Sequence, residues 1–372
     1  MLGGGQLGRM FIVAARELGY RVMVLEPDEN SPAGQMADQH LIAAYDDAEA
    51  LAVMASACDV VTTEFENIPA HVLNTLAEST KVRPSAKAVL LAQDRIDEKA
   101  FIESCGLMTA HYGVIKTSSD IADAVSKIRF PARLKTARLG YDGKGQAVVN
   151  SIEEVRDAFQ DMHTVDCVLE QQVDLDIEIS VVLARNSEGE TECFPVGENI
   201  HKHGILHKTL VPASVKESFI HAAQVAAKRI ADKLEYIGVL AVEFFITKDG
   251  ELLVNEMAPR THNSGHFTMD ACETSQFEQQ VRTVCDLPFG STKLLSPVVM
   301  INMLGDLWGD DVPEWQAILS EPSCKLHLYG KQHARIGRKM GHYNVLSDHI
   351  DQAETTAEAI FTTLEKNLEK ES

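Results

Sequence analysis

The 372-residue chain carries 55 acidic against 34 basic residues, a formal net charge of −21, and is 45% hydrophobic and 24% charged. This acid excess repels polyphosphate backbones and anionic bilayers, so neither nucleic acid nor a membrane is expected as the main partner, and the length suffices for about two or three domains. The first residues, Met1-Leu2-Gly3-Gly4-Gly5, form no basic and apolar leader, and no uncharged apolar run is long enough to cross a bilayer, so a cytoplasmic location is expected. Seven cysteines (Cys58, Cys105, Cys167, Cys193, Cys272, Cys285, Cys324) are scattered and never spaced C-x-x-C, which predicts reduced thiols and neither a zinc site nor a disulfide framework.

The first hundred residues alternate helix-like and strand-like segments: a helix over 9–18, a strand over 21–25, a helix over 48–57 and a strand over 59–63. This is the rhythm of a parallel α/β sheet. A helix over 86–104 leads away through Gly106 and ends a first domain, 1–106. A small lobe, 107–174, is expected around strands 132–136, 147–150 and 167–171 and a helix over 153–162. A larger lobe, 175–296, carries strands over 177–184 and 193–196, a long helix over 215–234, a hairpin of 239–247 with 252–257, and an ordinary packed helix over 276–284. Strands over 298–304 and 325–329 with a closing helix over 355–368 make a small β-rich domain, 297–372.

Asp249-Gly250 between two apolar strands predicts a two-residue hairpin turn, and that register sets Glu243 opposite Glu256. Like charges opposed across a ladder destabilise a sheet, so the pair asks for a cation. Magnesium takes a few carboxylate oxygens and completes its shell with phosphates and water, and Asn255 offers a further oxygen. The alternative is a slipped register with one glutamate in solvent. Upstream, Lys135 ends an apolar strand and is followed by Gly140-Tyr141-Asp142-Gly143-Lys144-Gly145-Gln146, whose three glycines let the backbone curl around oxyanions while Lys135 and Lys144 add charge. A glycine-rich surface hairpin has a similar look. It is not a Walker A sequence, because neither Ser nor Thr follows the lysine and a strand comes next. Glu170-Gln171-Gln172-Val173 has the form of a hinge strand whose backbone and carboxylate bond an adenine and ribose.

A strand lysine, a glycine loop, a hinge glutamate and the distant Glu243 and Asn255-Glu256 together resemble the ATP-grasp ligases. Asn255 through His266, the loop 140–146 and Gly4-Gly5-Gln6-Leu7-Gly8-Arg9-Met10 are similar, within that superfamily, to the N5-carboxyaminoimidazole ribonucleotide synthetases, over nearly the whole chain. The resemblance implies an α/β and α+β ATP-grasp architecture: an N-terminal parallel α/β domain, a central two-lobed ATP-grasp region and a small C-terminal β-rich domain. It implies a carbon–nitrogen ligase of purine biosynthesis in which bicarbonate attacks the γ-phosphate of ATP, and the amine of aminoimidazole ribonucleotide captures the carboxyl group of the resulting carboxyphosphate. Two magnesium ions on Glu243 and Glu256 and a homodimer are implied with it.

By the same motif matching, ATP would be held by Arg95, Lys135, Tyr141, Asp142, Gly143, Lys144, Gly145 and Gln146, by the hinge Glu170, Gln171, Gln172 and Val173, and by Glu178, Asn255 and Glu256. Arg260 and His262 would hold bicarbonate and carboxyphosphate, a planar guanidinium suiting a planar oxyanion. Gln6, Leu7, Glu66 and Asn263 would face the ribonucleotide, Lys331 and Arg338 would grip its phosphate, with Lys331 among the catalytic residues, and Tyr141 and Asp142 would close over the imidazole.

Gly3-x-Gly5-x-x-Gly8 followed by Glu26 also fits a dinucleotide fingerprint; a plain strand-to-helix turn is the bland alternative, and the resemblance makes the same turn part of the ribonucleotide site. His262 and His266 have i, i+4 spacing, but Asn263-Ser264-Gly265 between them predicts a loop and not a zinc-binding helix. His201-Lys202-His203 with His207 reads as a surface hairpin near the nucleotide. Other readings are a different ATP-grasp ligase, such as a formate-dependent glycinamide ribonucleotide transformylase, and a catalytically silent nucleotide-binding module. Arg133, Ala137 and Thr261 depart from the family pattern, and only Met1-Leu2 stand where the family has a complete first strand, so a truncated start and a weakened central strand are expected.

Overall fold

Leu2 holds the N-terminal sheet together. In the computed structural model, which describes residues 1–140, 145–309 and 312–371, Leu2 bridges Leu25 on one side and Thr63 on the other, both in parallel. Its N–H donates to Thr62 O at 2.8 Å, and the Gly3 N–H donates to Leu25 O at 3.1 Å. The parallel pair Met23–Leu25 with Gln39–Leu41 is thereby joined to the parallel pair Val60–Val61 with Lys81–Val82. The Leu2 side chain is fully buried among Leu25, Met54, Val61 and Leu73, a burial that contributes about 1.5–3 kcal/mol. On the other face the helix Gln6–Glu17 packs Met10, Phe11 and Ile12 with Phe277 and Val281 of the helix Gln276–Val284.

The helix expected over 86–104 is two helices, Ala86–Ala92 and Arg95–Ser104. Asp94 starts the second by accepting from the Ile96 N–H at 3.0 Å, and the Arg95 N–H leaves the first helix to donate to Ala137 O at 2.9 Å. A short polar residue that competes for backbone N–H groups is what ends one helix and caps the next.

The small lobe is an antiparallel sheet in the order Tyr112–Ile115, Cys167–Gln171, Ala132–Thr136, Gln146–Val149. Its first strand is absent from the sequence reading because Gly113 interrupts the apolar pattern. That glycine is a packing requirement: a Cβ there would lie 2.7 Å from the Ala124 carbonyl oxygen.

Nine described strands form one large antiparallel sheet. Its main path runs Leu252–Ala258, Gly238–Thr247, Leu175–Arg185, Gly197–Lys202, Ile205–Val211, Val298–Leu304, Lys339–Leu346, Cys324–Leu328. The strands after residue 297 therefore continue the sheet of the larger lobe through the pairing of Ile205–Val211 with Val298–Leu304.

The hairpin carrying the carboxylates departs from its expected turn. Thr247 and Glu251 close a three-residue loop in which Gly250 sits at φ +82°, so Ile246 faces Leu252 and Phe244 faces Val254. A bulge at Asn255 then restores the register, and Glu243 faces Glu256. The pairing holds although the turn is one residue longer.

Gly113→Val should destabilise the small lobe by roughly 1–3 kcal/mol through overpacking against the Ala124 backbone, measured as a lowered denaturation midpoint. An unchanged midpoint would show that the lobe can yield there.

Candidate active site

A cleft of about 1300 Å³ opens between the lobes and is floored by the hairpin. Every expected site residue among those described lines it, apart from Gly145. Gln6, Leu7 and Glu66 enter from the N-terminal domain, Arg95 from its helix Arg95–Ser104, Lys135, Gln146 and the hinge from the small lobe, and Lys331 and Arg338 from the C-terminal segment. Tyr141, Asp142, Gly143 and Lys144 lie outside the described residues. Gly145 accepts from the Thr136 N–H at 2.9 Å.

Each carboxylate of the facing pair meets a nitrogen. Arg95 Nη1 lies 3.0 Å from Glu256 Oε2, and His262 Nε2 lies 3.3 Å from Glu243 Oε1. Burial, reinforced by Glu256 opposite, raises Glu243 above the usual carboxylate range. Burial acts the same way on Glu256, but Arg95 and Lys135 outweigh it and hold that carboxyl low. His262 is driven well below the ordinary imidazole value by burial first and by Arg260 next, so its ring is neutral. Its Nδ1 lies 2.9 Å from Ser264 Oγ. Among the described residues no cluster of three or more His, Cys, Asp or Glu can hold a metal by itself. Two carboxylates and the Asn255 amide are an all-oxygen donor set that suits magnesium once phosphates fill the rest of its shell.

The helix Arg95–Ser104 supplies more than the sequence reading assigned to it. Arg95, Glu98 and Lys99 share one face at i, i+3 and i+4. Glu98 accepts from the Met257 N–H at 2.6 Å, fixing the strand beside Glu256. Lys99 and Lys135 take the two oxygens of Glu170, at 3.1 and 2.6 Å. The hinge carboxylate expected on the nucleotide is thus already engaged by lysines. The Gln171 and Gln172 N–H groups donate to His111 O and Pro131 O, whereas no acceptor among the described residues takes the Val173 N–H. The helix Gln276–Val284 is likewise more than packing: Gln276 accepts from the His262 N–H at 2.8 Å and donates to its carbonyl at 2.7 Å, clamping the loop that presents Arg260 and His262.

Arg260 Nε donates to Glu66 Oε2 at 2.5 Å, tying that loop to the N-terminal domain. Lys331 Nζ donates to Lys339 O at 2.7 Å and Arg338 Nη1 to His333 O at 2.6 Å, so both cations sit on a loop that their own side chains fold. Asn263 exchanges hydrogen bonds with Asn302, at 2.9 and 2.6 Å, and is buried at the cleft wall. His201 and His203 belong to the expected hairpin, with His201 Nδ1 2.6 Å from Glu178.

The glycine turn that resembles a dinucleotide fingerprint is filled from within. Glu64 accepts from the Gly5 and Gly8 N–H groups at the start of the first helix, and Glu26 accepts from the Gly4 N–H at 2.9 Å. A pyrophosphate would need those same donors. The dinucleotide reading is excluded on that ground.

Comparison with known proteins accords with this arrangement. Family models described as the ribonucleotide synthetase preATP-grasp domain, the ATP-grasp domain and the phosphoribosylaminoimidazole carboxylase C-terminal domain match residues 1–93, 100–277 and 298–356. The N5-carboxyaminoimidazole ribonucleotide synthase of Bacillus subtilis is 43% identical over 95% of this chain and 92% of its own. The chain belongs to the N5-carboxyaminoimidazole ribonucleotide synthase family. An ADP complex of a synthetase of this family superposes with a TM-score of 0.91 at 44% identity, covering 99% of this chain and 96% of that one. The Aspergillus clavatus synthase in complex with ADP and 5-aminoimidazole ribonucleotide gives 0.90 at 30% identity, covering 98% and 97%. Of the positions expected to depart from the family pattern, Ala137 is buried and its carbonyl anchors Arg95, and Thr261 is buried with its carbonyl accepting from Arg260 at 3.1 Å. Among the described residues no helix is long and apolar enough to cross a membrane.

Burial, then Glu256, pushes the Glu98 carboxyl up to about 8 from an ordinary value of 4.5. Such a group contributes stability below 4.5 that is lost as pH rises through about 8. Glu98→Gln keeps an acceptor for Met257 and should match wild type near pH 5 but exceed it at pH 8 by roughly 1–3 kcal/mol, read as a widening gap between melting temperatures. A gap that does not change with pH would contradict the buried-acid assignment.

Proposed function

We propose that the protein uses ATP to carboxylate 5-aminoimidazole ribonucleotide, giving N5-carboxyaminoimidazole ribonucleotide in purine biosynthesis. The observation that carries this reading is the placement of Arg260 and His262 beside the facing pair Glu243 and Glu256, in the cleft that Lys331 and Arg338 also line. A generic nucleotide site needs the pair and the hinge; a planar cation and a neutral imidazole next to them suit bicarbonate.

In this reading the Val173 N–H and neighbouring hinge carbonyls take the adenine, and Lys135 meets the phosphates. Arg260 orients bicarbonate toward the γ-phosphate while Glu66 fixes its guanidinium plane, and neutral His262 takes the proton that bicarbonate loses as carboxyphosphate forms. Magnesium, bound by Glu243 and Glu256 with Asn255 beside them, supplies neutralisation of phosphate charge. Lys331 and Arg338 hold the ribonucleotide's phosphate so that its amine reaches the carboxyl group. The Gln276 clamp keeps Arg260 and His262 in register with the hairpin. A cytoplasmic homodimer completes the proposal, on the strength of the family's habit and the absence of any spanning helix among the described residues.

ADP release with magnesium and ATP should require both bicarbonate and aminoimidazole ribonucleotide; turnover undiminished when either is omitted would refute the carboxylation. Glu256→Gln should keep the fold, by circular dichroism, and lower kcat by about 100-fold or more, because it removes the carboxylate charge that would hold magnesium against the transferring phosphoryl group. Wild-type rates in that variant would refute the metal assignment. Lys331→Met should raise KM for the ribonucleotide by roughly 10–100-fold with KM for ATP little changed. An unaltered ribonucleotide KM would remove Lys331 from the phosphate site.

A further inference from the structure

Lys99 is a buried lysine with 3% of its side chain exposed, and it does not line the cleft. Lysine is rarely buried to this degree without a charge partner, and here the partner is Glu170, 6% exposed, whose Oε1 lies 3.1 Å from Lys99 Nζ. The other oxygen, Oε2, lies 2.6 Å from Nζ of Lys135, which does line the cleft. The Tyr112 ring, with its centroid 5.5 Å from Lys99 Nζ, covers another side of the ammonium. Two lysines thus share one carboxylate, one on each oxygen, with only Lys135 facing ligand.

The charge count distinguishes this triad from a simple ion pair. Glu170 with Lys135 alone is neutral, and an anionic phosphate approaching Lys135 would meet the repulsion of the carboxylate behind it. With Lys99 present the group carries one net positive charge. Burial opposes ionisation of Glu170, but Lys135 and Lys99 together hold its carboxyl down at about 2, so the anion persists and anchors both lysines. Lys99 sits on the same helix face as Arg95, which meets Glu256, so one rigid element carries cations to both sides of the cleft.

We propose that Lys99 is a positioning residue that offsets Glu170 from behind, so that Lys135 is held in place by the carboxylate yet keeps its charge for the phosphates of the nucleotide. The proposal rests on the reading of the cleft as an ATP site. A purely structural Lys99 would instead serve only to satisfy a buried carboxylate.

Binding of magnesium-ATP and of adenosine, which has no phosphate, to the full chain separates the two. Lys99→Met should weaken ATP by about tenfold, equivalent to ~1.4 kcal/mol, and leave adenosine unchanged. Lys99→Met combined with Glu170→Gln again leaves one net positive charge and should bring ATP affinity back to within about threefold of wild type. If Lys99→Met alone does not fold, the double variant still decides, because it buries a neutral amide in place of an unpaired carboxylate: near-wild-type ATP affinity supports the proposal, and a loss above about tenfold overturns it. Unchanged ATP binding in a folded Lys99→Met, or equal weakening of ATP and adenosine with no recovery in the double variant, also overturns it. A wild-type chain that binds no ATP would overturn the reading of the cleft itself, a result distinct from all of these.

Discussion

Two carboxylates that face each other across a β-ladder at the floor of a cleft cannot both stay ionised unless positive charge is brought to them, and the surrounding structure is organised to bring it. Arg95 brings it to Glu256 from a helix that begins at Asp94, while Glu243, whose carboxyl is raised by burial, meets the neutral ring of His262 on a loop clamped by Gln276. The cations are in turn held by anions farther out: Arg260 by Glu66, Lys135 by Glu170. Breaking one member of such a buried set typically costs about 3–5 kcal/mol, because its partner is left charged and alone. Both lobes and the N-terminal domain contribute to the set, so the electrostatics of the site and the docking of the domains are one problem.

Much of this was legible in the amino-acid order. Ala132–Thr136, with Ala132 and Leu134 alternating into the core, and Cys167–Gln171, which opens on an apolar run, appear where expected, and Ala48–Ala57 starts at Asp47, whose side chain accepts from the Ala50 N–H at 2.8 Å. Two of the strands that escaped notice bury polar or tiny residues: Gly113 in Tyr112–Ile115, and Gly341, His342 and Asn344 in Lys339–Leu346, where the hydrophobic alternation is absent although the chain is buried. The site residues that were missed have the same cause. A charged residue on a helix is ordinarily read as solvent-facing, yet Glu98 and Lys99 lie on the stripe that runs from Arg95 to buried Ile102. Charges on the apolar stripe of an amphipathic helix were the available signal.

The continuity of the large sheet bears on how the site is assembled. The loop with Lys331 and Arg338 joins Cys324–Leu328 to Lys339–Leu346, and those strands are hydrogen-bonded, through Val298–Leu304 and Ile205–Val211, into the sheet that carries the hairpin. The distance between the loop of Lys331 and Arg338 and the carboxylates is therefore set by strand spacing inside one sheet, a stiffer ruler than a linker between separate bodies. The small lobe has its own four-stranded sheet, and the Arg95–Ser104 helix ties it to this ruler with a charge on each: Lys99 on Glu170 and Arg95 on Glu256.

The loop of the carboxylate hairpin is one residue longer than the shortest turn, and the bulge at Asn255 takes that residue back before Glu243 meets Glu256. Because side chains alternate between faces, tightening the loop by one residue or flattening the bulge, with every residue retained, would turn Glu256 to the opposite side of the sheet from Glu243. The register therefore rests on which residues close the loop and not on their number: a deletion around Asp249 that keeps Thr247 paired with Glu251 leaves Glu243 opposite Glu256. The conformation of the tip is thus coupled to a kink several residues away, although Gly250 itself has open space around it.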